Sequence, residues 1–236
     1  GVRPIPDFEA PRSTTAYYRS PPADGSQPGW FYANTFDLKS RPIYEMEALA
    51  LHEAVPGHHL QLALQNELEG LPEWRKDTHF TAYIEGWGLY AESLGKAMGF
   101  YTDPYSRFGK LSYEMWRALR LVVDTGIHEY GWSRDHAIQV MLENSALTRK
   151  NVEAEVDRYI SWPGQALAYK IGELEIQDLV KLARTRLGDQ FDIRAFHDHL
   201  LAAGSMPLST LRSRMEQWVS RQIEQKSSDK AADIKE

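Results

Sequence analysis

Three histidines and a glutamate fall within one short segment, "ALHEAVPGHHLQL", residues 50–62. His52-Glu53 opens as the helix of many zinc hydrolases opens. In that chemistry two histidines four apart share a helix face and hold the ion, while the glutamate beside the first takes a proton from water. Here the fourth position is Pro56, and the next histidines are His58 and His59. On a regular helix a residue six positions on points about 120° away from His52; a residue seven on is only about 20° off but roughly 10 Å along the axis. Neither meets His52 at one ion. Pro56-Gly57 offers a way out. Proline removes a helical hydrogen bond and clashes with the preceding turn, and glycine permits irregular backbone. A bulge or break there would swing His58 back beside His52. His58 is thus preferred as second ligand, with His59 beside the metal shell or facing substrate. The choice rests on the backbone at residues 55–57.

A catalytic zinc needs a third protein ligand and an open position. The best candidate is Glu85 in "TAYIEGWGLYAESLG". Glu92, seven residues on, shares its helix face and is placed to receive the free N–H of a ligating histidine. Gly86 and Gly88 each cost a helix roughly 1 kcal/mol against alanine, so their presence implies that a backbone, a metal or a substrate comes close. The plainer reading is that clustered histidines are structural and that Glu85 pairs with Arg117 or Arg120. Oxyanion support could come from Tyr169 or His128. Gln165 lies one turn before Tyr169 on the same side. Tyr169 could equally be a core tyrosine, and His128 could merely complement a helix dipole. Arg117 and Arg120 are candidates to hold Glu92 or a substrate carboxylate, although interhelix pairing is the commoner role. His79, His136, His197 and His199 read as structural or solvent-facing.

The elements that must position these groups are helical from Pro42 onward. One helix enters the His-Glu segment, breaks at Pro56-Gly57 and resumes through "HHLQLALQNELEG". A second runs from about Thr78 to Met98. A third opens with Asp103 as N-cap and Pro104 in its first turn, and its Leu111, Met115, Ala118, Leu119 and Val122 form an apolar stripe at helical spacing. Ser133 and Thr148 cap the next two, and a long helix after "WPG" ends at Gly188. Seven of the twelve prolines lie at or before Pro42. The first 41 residues therefore read as an extended Pro-rich arm, with at most a short edge strand at "GWFYANT", residues 29–35. It is either a surface arm or the rim of a cleft. The expected class is all-α, or nearly so, with a helical domain over 42–225 and a polar, disordered tail over 226–236.

Composition narrows the function classes. With no cysteine among 236 residues, disulfides, thiolate metal sites and cysteine nucleophiles are excluded, while the compartment stays open between periplasmic, secreted and cytoplasmic. A net charge of −6 argues against nucleic acid as main partner, which needs a basic face. No apolar run is long enough to span a membrane. No signal peptide is visible, and a Pro-rich start without methionine suggests an excised fragment or a processed chain. No nucleophile elbow, phosphate loop or dinucleotide fingerprint occurs.

Several blocks are long and unusual together: "LHEAVPGHHLQ", "YIEGWGLYAESLG", "DPYSRFGKLSYEMWRALRLVVDTGIH", "WSRDHAI" and "RYISWPGQALAYKIG", preceded by "APRSTTAYYRSPPADGSQPGWFYANT". From about Pro4 to Trp218 they resemble, in order, the bacterial family called domain of unknown function 885. That family looks related to the gluzincin metallopeptidases. The resemblance implies a zinc-dependent hydrolase of peptide or amide bonds with one Zn2+ held by His52, His58 and Glu85, and Glu53 as base. Family members are usually about twice this length, so the chain resembles their C-terminal, site-bearing half. Self-association or a separate N-terminal half are then candidate partners, beside a peptide or small amide substrate. The competing expectation is a non-catalytic helical metal-binding or interaction module, one lobe of a larger assembly.

Overall fold

The structure, a computed structural model, describes residues 1–22 and 26–233. Helices dominate, as the sequence predicts. In chain order they are α1 (Met46–Glu53), α2 (His58–Glu67), α3 (Glu73–Lys76), α4 (Thr81–Leu94), α5 (Pro104–His128), α6 (Arg134–Asn144), α7 (Arg149–Ser161), α8 (Ala168–Leu187), α9 (Ile193–Leu201) and α10 (Leu208–Asp233). The capping signals act where expected. The Asp103 carboxylate accepts from the amides of Tyr105 and Ser106, and the Ser133 and Thr148 hydroxyls from those of His136 and Asn151. The last helix takes in residues 226–233, which the sequence assigns to a disordered tail; residues 234–236 of that tail lie outside the described residues.

The Pro-rich arm is more ordered than one edge strand. It forms a small sheet of β1 (Val2–Pro4), β2 (Ala16–Arg19) and β3 (Trp30–Ala33) in the order β1-β3-β2. The strand foreseen within "GWFYANT" is therefore the central one, parallel to β1 and antiparallel to β2, with Tyr17 opposite Tyr32. Strands of three or four residues are too short to show alternation, and their pairing is non-local. Buried Asn34 pins the arm's turns, its Nδ2 donating to the carbonyls of Ala10, Ser13 and Thr14 at 2.9–3.1 Å. β2 lies against α1.

Two apolar cores form. One joins α1, α5, α6 and α7 around Leu51, Tyr113, Trp116, Met141 and Tyr159. The other joins α4, α8, α9 and α10 around Trp87, Ile176, Leu179, Phe196 and Leu211. The stripe on α5 is not its buried face: Leu111, Met115 and Val122 are exposed, and of the stripe only Leu119 is buried. The buried face instead carries Tyr113, Trp116, Arg117, Arg120 and Val123. Arg117 and Arg120 go inward because each meets a buried carboxylate, at 2.9 Å from Glu92 and 2.8 Å from Glu155. Hydrophobic periodicity cannot register that pairing.

α4 and α8 pack backbone to backbone. A Cβ on Gly86 would stand 2.5 Å from Gly172 Cα, and one on Gly172 would stand 1.9 Å from the Ala82 carbonyl oxygen. Only paired glycines allow this approach, which brings Glu85 on α4 and Tyr169 on α8 to the same place.

Candidate metal centre

The backbone at residues 54–57 breaks rather than bulges. α1 ends at Glu53, Ala54 leaves helical geometry at φ −99°, ψ −119°, and α2 begins at His58. The Val55–Pro56 peptide is cis. The turn is held from outside: Trp87 Nε1 donates to the Pro56 carbonyl at 2.8 Å. Gly57 lies directly on the end of α1, where a Cβ would come within 1.9 Å of the His52 carbonyl oxygen. His52 thus sits in the last turn of α1 and His58 at the first position of α2, with ring centroids 4.7 Å apart.

Glu85 meets both. Its Oε2 is 3.2 Å from His58 Nε2 and 3.6 Å from His52 Nε2. One ligand atom from each of the three residues lies within 4.8 Å of the others, so the cluster could hold a metal ion. Gly88 makes the room. A Cβ there would stand 2.8 Å from Cε1 of both His52 and His58. The two glycines thus have different reasons, Gly86 a neighbouring helix and Gly88 the imidazoles.

The surrounding groups orient the cluster. His52 Nδ1 donates to Glu92 Oε1 at 2.8 Å, and Glu92 is itself held by Arg117. This orients the ring with Nε2 toward Glu85, and once the ring is neutral it keeps the proton on Nδ1 and leaves Nε2 free to ligate. Glu85 Oε1 accepts from Gln165 Nε2 at 3.2 Å. Burial pushes the His52 imidazole down, but the carboxylates of Glu85 and Glu92 outweigh it and raise its pKa to about 9. Burial likewise raises Glu85, yet the two histidines hold it well below the usual carboxylate range. Glu53 is buried beside the cluster, and its Oε2 has no hydrogen-bond partner; His58 Nδ1 is in the same state.

The cluster opens into a cavity of about 390 Å³. Its walls include Tyr17 and Tyr18 of β2, Leu62, Ile84, Trp162, Arg158 and Tyr169. The arm is therefore a rim, not a free surface strand. A larger cavity of about 560 Å³ borders Phe100, Tyr101 and Leu111, but its lining has cations and no carboxylate or histidine.

Tyr169 is buried at the cavity wall, its ring nearly parallel to that of His52 with centroids 6.0 Å apart. Its hydroxyl accepts from Arg158 NH2 at 3.0 Å and from Gln165 Nε2 at 3.3 Å. Burial and the Glu85 charge raise its pKa against the opposing pull of Arg158 and Arg120, so it stays a neutral donor. Arg120 is beneath this layer, its guanidinium 4.1 Å from the Tyr169 ring centroid and bonded to Glu155 and the Tyr159 hydroxyl; it supports Tyr169 and does not line the cavity.

One expectation changes. His128 is not at the site. Its Nε2 is 3.0 Å from the Tyr159 carbonyl oxygen, and it follows Arg117 on α5 by eleven residues, roughly 16 Å along the helix. His59, read from the sequence as lying beside the metal shell or facing substrate, is not among the three residues that meet; it is exposed, and its Nδ1 shares a 2.9 Å hydrogen bond with the hydroxyl of Tyr18, which lines the cavity. The plainer pairing of Glu85 with Arg117 or Arg120 is also replaced, since those arginines hold Glu92 and Glu155. Sequence reading missed Arg158, Tyr18 and Trp162. Arg158 lies seven residues before Gln165, and no local pattern separates it from Arg149.

Two solved structures are similar to the whole arrangement. A protein described as a candidate lipoprotein, from Colwellia psychrerythraea, is 41% identical, with a TM-score of 0.91 over 94% of this chain and 38% of that one. A second, described as a candidate lipoprotein of unknown function, from Shewanella oneidensis, is 25% identical, with a TM-score of 0.77 over 91% of this chain and 40% of that one. The chain thus spans about two fifths of the length of either. No curated protein matches it. The family model described as "Bacterial protein of unknown function (DUF885)" matches residues 1–215, and with the helix–break–helix motif and its Glu85 partner in place, the chain belongs to that family.

Proposed function

We propose that the protein is a zinc-dependent hydrolase of peptide or amide bonds, akin to the gluzincin metallopeptidases. One observation carries this reading: two imidazoles and a carboxylate converge in an open cavity beside a buried carboxylate oxygen, Glu53 Oε2, that has no partner. A buried unpaired acceptor is costly, and proton transfer at a reacting water gives it a use. The donor set suits zinc. Two histidines and a glutamate are a catalytic zinc set, and tetrahedral ligands about 2.1 Å from zinc stand roughly 3.4 Å apart, against 3.2 and 3.6 Å for the two His–Glu85 separations.

When bound, zinc would supply Lewis acidity toward a carbonyl oxygen and toward water. His52, His58 and Glu85 would hold it, and Glu92 keeps His52 in the right tautomer. Glu53 takes a proton from the attacking water at Oε2 and returns it to the leaving amine. Tyr169 accepts from Arg158 and Gln165, so its own proton is free to support the developing oxyanion.

The test is a screen of peptide and amide substrates with and without chelator. Turnover that chelation removes and added zinc restores is the expected result; no turnover under any metal condition sinks the reading. One observation favours a second reading, a non-catalytic metal-binding lobe of a larger assembly: the chain spans only about two fifths of its structural relatives. Stoichiometric zinc without turnover would favour it. Among the described residues no helix is long and apolar enough to cross a membrane, and the lipoprotein description of both relatives supports a cell-envelope location.

The metal affinity should depend on pH with a definite sign. With its pKa raised to about 9, His52 is protonated in the metal-free protein at neutral pH, so zinc must displace a proton. Affinity is expected to rise roughly tenfold per pH unit between pH 6 and 8. Competition with a zinc-binding dye across that range checks it; a flat profile would exclude a charged His52.

A further inference from the structure

We propose that Arg158 clamps a free carboxylate on the leaving side of the substrate, so that the site takes peptides or N-acyl amino acids ending in a free carboxylate. The assignment rests on the hydrolase reading for its scissile bond, although the clamp itself is testable by binding alone.

Arg158 is the only lysine or arginine among the described residues lining the cavity. The other two arginines that could serve are spent: Arg117 on Glu92 and Arg120 on Glu155, both almost fully buried. The Arg158 side chain keeps a quarter of its surface exposed. Its charge is also poorly matched. Glu155 accepts from Arg120 NH2 at 2.8 Å and from Arg158 NH1 only at 3.4 Å. One carboxylate thus faces two guanidinium groups, and a positive charge is left over at the cavity wall. Elsewhere in the cavity Glu53 and Glu85 repel an anion, so Arg158 marks the place where one is tolerated. A guanidinium presents a planar fork matched to carboxylate geometry.

The reach fits. Arg158 NH2 donates to Gln165 Oε1 at 2.6 Å, and Gln165 Nε2 donates to Glu85 Oε1 at 3.2 Å. The cation is therefore one amide side chain away from the carboxylate that faces both histidines. In a leaving amino acid the α-carboxyl carbon is two bonds from the scissile nitrogen. Leu62, Ile84 and Trp162 offer apolar wall for its side chain. The reaction balances as hydrolysis: the water oxygen bonds to the carbonyl carbon, the C–N bond breaks, and one water proton passes through Glu53 to the amine.

The experiment is calorimetric binding to the zinc-loaded Glu53→Gln protein, using acetyl-glycyl-phenylalanine as free acid and as C-terminal amide. The acid is expected to bind at least about tenfold more tightly, as a charged hydrogen-bond pair requires. Arg158→Met should erase that difference, and Arg158→Lys should keep part of it. Equal affinities, or no measurable binding of the acid, overturn the clamp. So does a preference for the acid that survives Arg158→Met, which would place the carboxylate on the metal. Equal weakening of acid and amide in Arg158→Met also overturns it, showing that Arg158 only supports Tyr169 and Gln165. If the zinc-loaded wild type hydrolyses neither peptide while the binding preference and its loss in Arg158→Met persist, the clamp stands and the hydrolase reading falls.

Discussion

Glu53→Gln is expected to keep close to one zinc per chain and to lose about 10²–10⁴ of turnover, the range for removal of a general base. The substitution is nearly isosteric, and Glu53 is not among the three residues that meet at the metal position. Its Oε2 has no hydrogen-bond partner to lose. The fold and the His52–Glu92 contact should therefore survive. Zinc content by elemental analysis and kcat on the best substrate from the screen are the two readouts. Loss of zinc together with activity would make Glu53 a ligand or a structural support, and retained activity would remove it from the mechanism.

Gly172→Ala should have the largest effect on stability. The added methyl would stand 1.9 Å from the Ala82 carbonyl oxygen and 2.6 Å from Gly86 Cα, both backbone atoms that no rotamer change can move. α8 must shift away from α4, at a cost of about 3 kcal/mol or more by analogy with overpacked cores. For a chain of this size that lowers Tm by roughly 6–12 °C. The same shift separates Glu85 and Tyr169 along the α4–α8 seam, so zinc affinity should fall with stability. A melting temperature within two or three degrees of wild type would show that the seam relaxes easily.

Much of the fold was legible because its signals are local. Asp103, Ser133 and Thr148 cap helices through amides two or three residues away, and Pro and Gly mark the breaks. The misreadings of the arm and of α5 were non-local. The arm's sheet depends on a parallel pairing of Val2–Pro4 with Phe31–Ala33, which no short window reveals. The buried face of α5 was misjudged because Arg117 and Arg120 pack inward only when Glu92 and Glu155, from other helices, meet them. His128 looked like a candidate from its residue type, and its distance along α5 excludes it.

The candidate centre divides the same way. The sequence by itself determined which residue types were available: His52 and Glu53 at a helix end, a Pro-Gly break, His58 and His59 beyond it, and Glu85 and Glu92 on one face with Gly88 between them. Tertiary structure decided their roles. Ala54 and Gly57 turn the chain so that His58 returns to His52 and His59 faces Tyr18. Glu92 reaches His52 because α1 lies on α4, and Arg158 enters the cavity from the last turn of α7, beside Trp162 and Gln165 of the connection that follows. The reason is geometric. Spacing along a helix sets direction to within a face, but two side chains meet at one ion only within a few tenths of an ångström, and that is set by how helices distant in sequence pack.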